Sequence, residues 1–242
     1  MSKNTRLKRE AKRYSDCEHV PDNVLQYQAR KKPLEPITEN QRQYLSSLLH
    51  DTIVIGAGKA GTGKTYLSSR VAARLLNESK LYKQIIMTRP NVEVGKSLGY
   101  LKGDLEEKYA PYMEPFEAGI SDEIGASRLQ SGLGKTFKPQ PLGYMRGKTF
   151  DNSIMLLDEA QNTTIEEMKM FITRIGQNTR MFITGDDSDG QNDLRVPENG
   201  LQWLIRQFRT QQLPYDIVTF RDDDCVRSEE CKIMLKMISR AT

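Results

Sequence analysis

Eight consecutive residues, Gly58-Lys59-Ala60-Gly61-Thr62-Gly63-Lys64-Thr65, carry the clearest chemistry in the chain. Glycines at this spacing let the backbone curl so that several N–H groups point at one phosphate chain. The pattern places Lys64 within reach of β- and γ-phosphates and makes the Thr65 hydroxyl a Mg²⁺ ligand. A second cluster, Asp158-Glu159, ends the apolar run Ser153-Ile154-Met155-Leu156-Leu157. Asp158 suits the Mg²⁺ shell, and Glu159 is placed to polarise a water for in-line attack on the γ-phosphate. The chemistry predicted is hydrolysis of a nucleoside triphosphate, ATP, with Mg²⁺. A phosphoryl-transferring kinase has no need of Glu159, which disfavours that reading.

Weaker signals surround these two. Thr184-Gly185-Asp186 closes another apolar run, and Gln191 follows in a polar stretch, either as a phosphate sensor or as part of an ordinary turn. Thr38-x-x-Gln41 is a capping box, so Gln41 has a purely structural use available. Arg227 could stabilise transition-state charge in cis or across a subunit. Arg174 is a further arginine-finger candidate, for which a surface ion pair is the favoured alternative.

The elements that must position these groups alternate. Short continuous apolar runs at Thr52–Gly56, Gln84–Thr88, Ser153–Asp158, Arg180–Thr184 and Asp216–Phe220 read as parallel strands buried on both faces. One helix is predicted from Thr38, with Tyr44, Leu45, Leu48 and Leu49 at helical spacing, and another after Thr65, with Leu67, Val71 and Leu75 inward. A third runs from Thr164 to Ile175, with Ile165, Met168, Ile172 and Ile175 inward and Gly176 as its stop. This is an α/β chain with a parallel sheet flanked by helices. The less regular stretch 111–150 reads as an insertion before the Asp158 strand.

Composition supports an ordinary globular protein and removes other classes. The chain has 242 residues, 37% hydrophobic and 28% charged, with mean hydropathy −0.62 and net charge +4. Residues 1–32 hold nine Lys or Arg against four Asp or Glu, so the excess belongs to an N-terminal arm, taken as 1–36 ahead of a body at 37–242. No apolar run approaches the ~18 residues of a membrane span, and the start lacks the apolar segment of a secretory signal. Cys17, Cys225 and Cys231 make an odd set without a Cys-x-x-Cys pair, and Cys17 with His19 falls short of a zinc site. A reduced, cytoplasmic protein is expected.

The phrases Met155-Leu-Leu-Asp158-Glu-Ala-Gln161-Asn162-Thr-Thr164, Met168-Lys-Met170-Phe-Ile-Thr173-Arg174-Ile-Gly176, Thr88-Arg89-Pro90-Asn91-Val92-Glu93-Val94-Gly95, Leu98-Gly-Tyr-Leu-Lys-Gly103-Asp104-Leu105-Glu-Glu-Lys108 and Pro141-Leu-Gly-Tyr-Met-Arg146-Gly147-Lys148-Thr149-Phe150 resemble the PhoH family of phosphate-starvation-inducible ATPases over about Ile37 to Ile238. That family is similar to the ATPase core of superfamily 1 helicases. The resemblance implies a RecA-like P-loop fold, ATP hydrolysis, assembly as a homo-oligomer such as a hexameric ring, and RNA or single-stranded DNA as substrate. It makes Gly58–Thr65 the phosphate loop, Asp158 the metal carboxylate and Glu159 the water-activating base. Gln161 and Gln191 would report on the γ-phosphate, Gln41 would read adenine, and Arg227 would act as finger or sensor. Some relatives carry a fused PIN nuclease, which the short segment ahead of Ile37 is not expected to hold. The short form resembles versions carried by bacteriophages, which would place it in a host cytoplasm. Two departures stand out: Lys59 replaces a usual proline, and the stretch between Asp186 and Gln191 is longer than in relatives.

Nucleic-acid contacts are expected from Arg89, Arg146 and Lys148 on the family motifs, with Lys135 and Lys138 beside them. The interleaved Tyr100, Tyr109, Tyr112, Phe116, Phe137 and Tyr144 would form a stacking channel or simply pack the insertion. Arg89 has a second use open to it, since its strand end faces the nucleotide cleft. The leading function is an ATP-driven helicase or translocase without membrane contact. The alternative is a nucleotide-dependent binding switch or assembly protein without motor activity.

Overall fold

Six strands lie side by side, all parallel, in the order β3-β2-β4-β5-β1-β6. They are β1 Ile53–Gly58, β2 Gln84–Thr88, β3 Phe137–Pro139, β4 Ser153–Leu157, β5 Arg180–Gly185 and β6 Asp216–Phe220. The computed structural model describes residues 33–90, 105–188, 194 and 196–240. Residues 1–32 of the basic arm, Tyr100 and Gln191 lie outside the described residues, as do the side chains of Tyr109 and Tyr112.

Alternation along each strand fills two cores, which is why the runs are apolar without a polar face. Val54, Ile85, Met87, Ile154, Leu156, Phe182 and Val218 face one side. There they meet helices α1 Glu39–His50, α2 Lys64–Glu78 and α3 Leu105–Ile124. Ile55, Ile86, Met155, Leu157, Met181 and Ile183 face the other side, under α5 Ile165–Ile172 and α6 Gly200–Thr210. Helices α4 Ala126–Gly132 and α7 Glu229–Arg240 complete the described set. None of these helices is long and apolar enough to cross a membrane.

Stretch 111–150 lies between β2 and β4 and carries structure of its own, joined closely to the body: α3 begins at Leu105 and packs on α2, and β3 extends the sheet beside β2. Gly119 permits the helix contact, because a Cβ there would lie 2.6 Å from the Tyr66 carbonyl oxygen. Phe116 and Phe137 are 0% and 2% exposed, so they pack the core and cannot stack on nucleic acid. The helix predicted to Ile175 ends at Ile172 instead. Phe171 fills the core, and Ile175 forms a β-bridge with Phe150. Gly176 is needed for close approach rather than as a cap, since a Cβ there would meet Asp151 Oδ1 at 2.2 Å. The body begins earlier than 37: the Pro33 carbonyl accepts a hydrogen bond from Arg70, and residues 33–242 form one unit.

Candidate active site

Because every strand is parallel, all carboxyl ends share one edge, where ligands bind in such sheets. The segments leaving β1, β2, β4, β5 and β6 therefore converge on a cleft of about 520 Å³. Its lining includes Gly61–Tyr66, Arg89, Asp158, Glu159, Gln161, Asp186 and Arg227.

The phosphate loop leaves β1 and turns directly into α2. Gly61 and Gly63 both have φ of +82°, a left-handed backbone that a side chain resists. Gly63 caps α2 without a side-chain bond to its first N–H groups, which leaves them for an anion. Lys64 is 8% exposed. Its ammonium donates to the Gly58 and Lys59 carbonyls at 2.5 and 2.7 Å. Burial pushes its pKa below the usual lysine range, against the pull of Asp186, Asp158 and Glu159. Lys59 adds no net charge to the loop, because its ammonium pairs with Asp222 at 2.8 Å.

Asp158 sits at the centre. Its Oδ1 accepts from the Thr65 hydroxyl at 2.8 Å and from the Thr184 hydroxyl at 2.7 Å. One carboxylate and one hydroxyl converging from the two motifs fit Mg²⁺, which takes few protein oxygens when it also binds phosphates. Among the described residues no cluster of three or more His, Cys, Asp or Glu forms a separate metal cage.

Glu159 adopts a left-handed backbone, φ 55° and ψ 40°, at the turn from β4 into the short 3₁₀ helix Ala160–Asn162. A non-glycine residue there carries a cost on the order of 1 kcal/mol, and such strain persists where surroundings enforce it. The surroundings are Arg89 and Gln161. The Arg89 guanidinium pairs with Asp158 Oδ2 at 2.9 Å and Glu159 Oε1 at 3.1 Å. Gln161 donates to Glu159 Oε2 at 2.5 Å and accepts from the Asp186 backbone N–H at 2.9 Å. Gln161 thus joins Glu159 to the end of β5, a position that suits a reporter.

Position bears on three readings that the sequence left open. Gln41 is 4% exposed and does not line the cleft; its Oε1 accepts from Ile37 N–H at 2.7 Å and its Nε2 donates to the Thr62 carbonyl at 2.9 Å. It braces the phosphate loop against α1 rather than facing a base. Arg89 lines the nucleotide cleft, the second use left open to it. Arg174 does not line the cleft: it donates to the Lys148 and Met170 carbonyls at 3.0 Å each. Arg227 does reach the cleft, held by the Val226 N–H bond to the Gly61 carbonyl at 3.0 Å. Arg146, Lys148 and Tyr144 remain exposed around the turn after the 3₁₀ helix Leu142–Met145, and Lys135 is also exposed.

A parallel sheet with a phosphate loop at one strand end and a paired Asp-Glu at another defines the class of P-loop nucleoside triphosphatases. A family profile described as "PhoH-like protein" matches residues 33–239. The PhoH-like protein of Bacillus subtilis (strain 168) is 45% identical over 161 residues, 66% of this chain and 50% of that protein. Protein PhoH of Escherichia coli (strain K12) is 38% identical over 212 residues, 86% of this chain and 58% of that protein. The PhoH-like protein of Synechocystis sp. is 37% identical over 167 residues, 68% of this chain and 50% of that protein. The chain belongs to the PhoH-like family, and the matches span half or a little more of these relatives' own length.

Proposed function

We propose that this protein hydrolyses ATP with Mg²⁺ and acts on RNA or single-stranded nucleic acid as an oligomeric helicase or translocase in the cytoplasm. The observation that carries hydrolysis is the joining of Thr65, Asp158 and Glu159 in one cleft, with Glu159 held at its edge. The phosphate loop N–H groups and Lys64 grip the triphosphate. Thr65 and Asp158 would hold Mg²⁺, which when bound neutralises charge on the β- and γ-phosphate oxygens. Glu159 orients a water toward the γ-phosphorus and accepts its proton. Arg89 steadies Glu159 and adds positive charge beside the transferring group. Arg227, at the mouth, supplies a further cation toward the leaving phosphates.

Nucleic-acid action is supported by the basic arm and by exposed Tyr144, Arg146 and Lys148. Assembly is supported by exposed Ile233, Met234 and Met237 on α7, the helix that follows Arg227. The switch reading, without motor activity, is favoured by one specific observation: Gln161 links Glu159 to the Asp186 backbone at the end of β5, a connection through which an occupied γ-phosphate site could be reported elsewhere. ATP turnover measured with RNA, with single-stranded DNA and with neither separates these. The proposal expects a rise with one of them at moderate salt; unchanged turnover across the panel contradicts the nucleic-acid part. Sedimentation with ATP should show an oligomer, and a strict monomer contradicts the ring. Removing residues 1–32 should weaken nucleic-acid binding while sparing basal hydrolysis.

A further inference from the structure

We infer that Tyr66 is the stacking platform for the nucleotide base, forming a subsite that takes nucleobases with little discrimination; this rests on the ATP reading above. Gln41 is bonded to Ile37 and Thr62 and has no ring to offer, so a stacking face for the base has to come from another group. Among the described residues that line the cleft, Tyr66 alone is aromatic. It directly follows Thr65 in the first turn of α2, one residue beyond the group that holds the phosphate end. Pro115 of α3 and Val226 line the same cleft and add apolar surface, while its charged members already serve the phosphate end.

The ring is also held in place. Its hydroxyl donates to Asp122 Oδ2 at 2.8 Å and accepts from Arg70 Nη1 at 3.2 Å. The Arg70 guanidinium carbon lies 5.7 Å from the ring centroid. Arg70 itself is 2% exposed and paired with buried Glu123 at 3.2 Å, so the support is rigid. A base landing on a fixed ring loses little side-chain entropy, which makes stacking effective. Stacking uses the π-face that every base has, whereas sharp selection requires hydrogen bonds to a base edge.

Equilibrium binding with Mg²⁺ tests this on the whole chain, using ATP, GTP and inorganic tripolyphosphate with wild type, Tyr66→Ala and Tyr66→Phe. Tyr66→Ala should weaken ATP and GTP on the order of tenfold while leaving tripolyphosphate unchanged. Tyr66→Phe keeps the ring without its hydrogen bonds and should bind both nucleotides within a few-fold of wild type. Equal losses in Tyr66→Phe and Tyr66→Ala would show that the hydroxyl anchors α2, and would overturn the stacking role. Unchanged nucleotide affinity in Tyr66→Ala, or wild-type preference for ATP over GTP above about a hundredfold, would also overturn it. Failure of the underlying ATP reading has a different signature: wild type would bind none of the three ligands.

Discussion

The Arg89 guanidinium lies 3.1 Å from the Glu159 carboxylate and joins the end of β2 to the end of β4. The same side chain reaches Asp158, so one cation spans both members of the acidic pair. Removing it leaves two adjacent carboxylates facing each other and frees the strained Glu159 turn. Arg89→Ala should lower ATP turnover on the order of 10²-fold without nucleic acid present, with a smaller change in ATP affinity. Steady-state kinetics of the purified variant check this. Normal basal turnover with weakened RNA binding would return Arg89 to a nucleic-acid face.

Thr184 holds Asp158 from behind, its hydroxyl 2.7 Å from Oδ1. It is buried, and it fixes the orientation of the carboxylate that would ligate Mg²⁺. Thr184→Val should raise the Mg²⁺ concentration for half-maximal turnover by about tenfold, as expected for loss of a partner to a metal ligand. Saturating Mg²⁺ should recover most of the rate.

Glu123 has a fully buried side chain and pairs with Arg70 and Arg74. Its removal strands the buried Arg70 charge between α2 and α3. Glu123→Ala should cost about 3–5 kcal/mol in urea unfolding. Replacing Glu123 and Arg70 together with apolar residues should recover much of that loss.

Asp224 ties the segment after β6 to α1, accepting from Asn40 Nδ2 at 2.7 Å and from Arg221 N–H at 2.8 Å. Burial alone would push its carboxyl up, but hydrogen bonds from Arg221, Thr38 and Asn40 together hold it below the usual 3.8. A folded value below the unfolded one means the stabilisation is complete above 3.8 and is lost as pH falls through the lower folded value. Asp224→Ala should therefore lose about 1–3 kcal/mol at neutral pH, and the gap to wild type should narrow only in stronger acid. Urea melts across that pH range measure it.

The sequence was most readable where one residue type has one use. Gly61, Gly63, Lys64 and Thr65 could be placed from their order alone, since few backbones need those types together. Strands β2 and β6 matched their predicted ends because their apolar runs stop at polar residues. Contacts between distant segments were not legible. No local pattern shows that Arg89 meets Glu159, that Gln161 reaches the Asp186 backbone, or that Glu159 is left-handed. Gln41 misled because a capping position and a base-reading position look alike in sequence, and only the Thr62 contact tells them apart. For Phe116 and Phe137 the sequence left stacking and packing both open, because scattered Gly and Pro hide that their segment packs on α2 and extends the sheet; burial decides for packing. An Asn199-x-x-Gln202 capping box opens α6.

The central claim is that Glu159 activates water in a cleft whose nucleotide grip lies elsewhere, on Lys64, Thr65 and Asp158. Glu159→Gln keeps the shape while removing the base. Parallel measurement of ATP affinity and single-turnover hydrolysis in that variant tests the claim most directly. ATP binding should stay within a few-fold of wild type, and hydrolysis should slow by about 10²–10⁴-fold. Hydrolysis near the wild-type rate would contradict it.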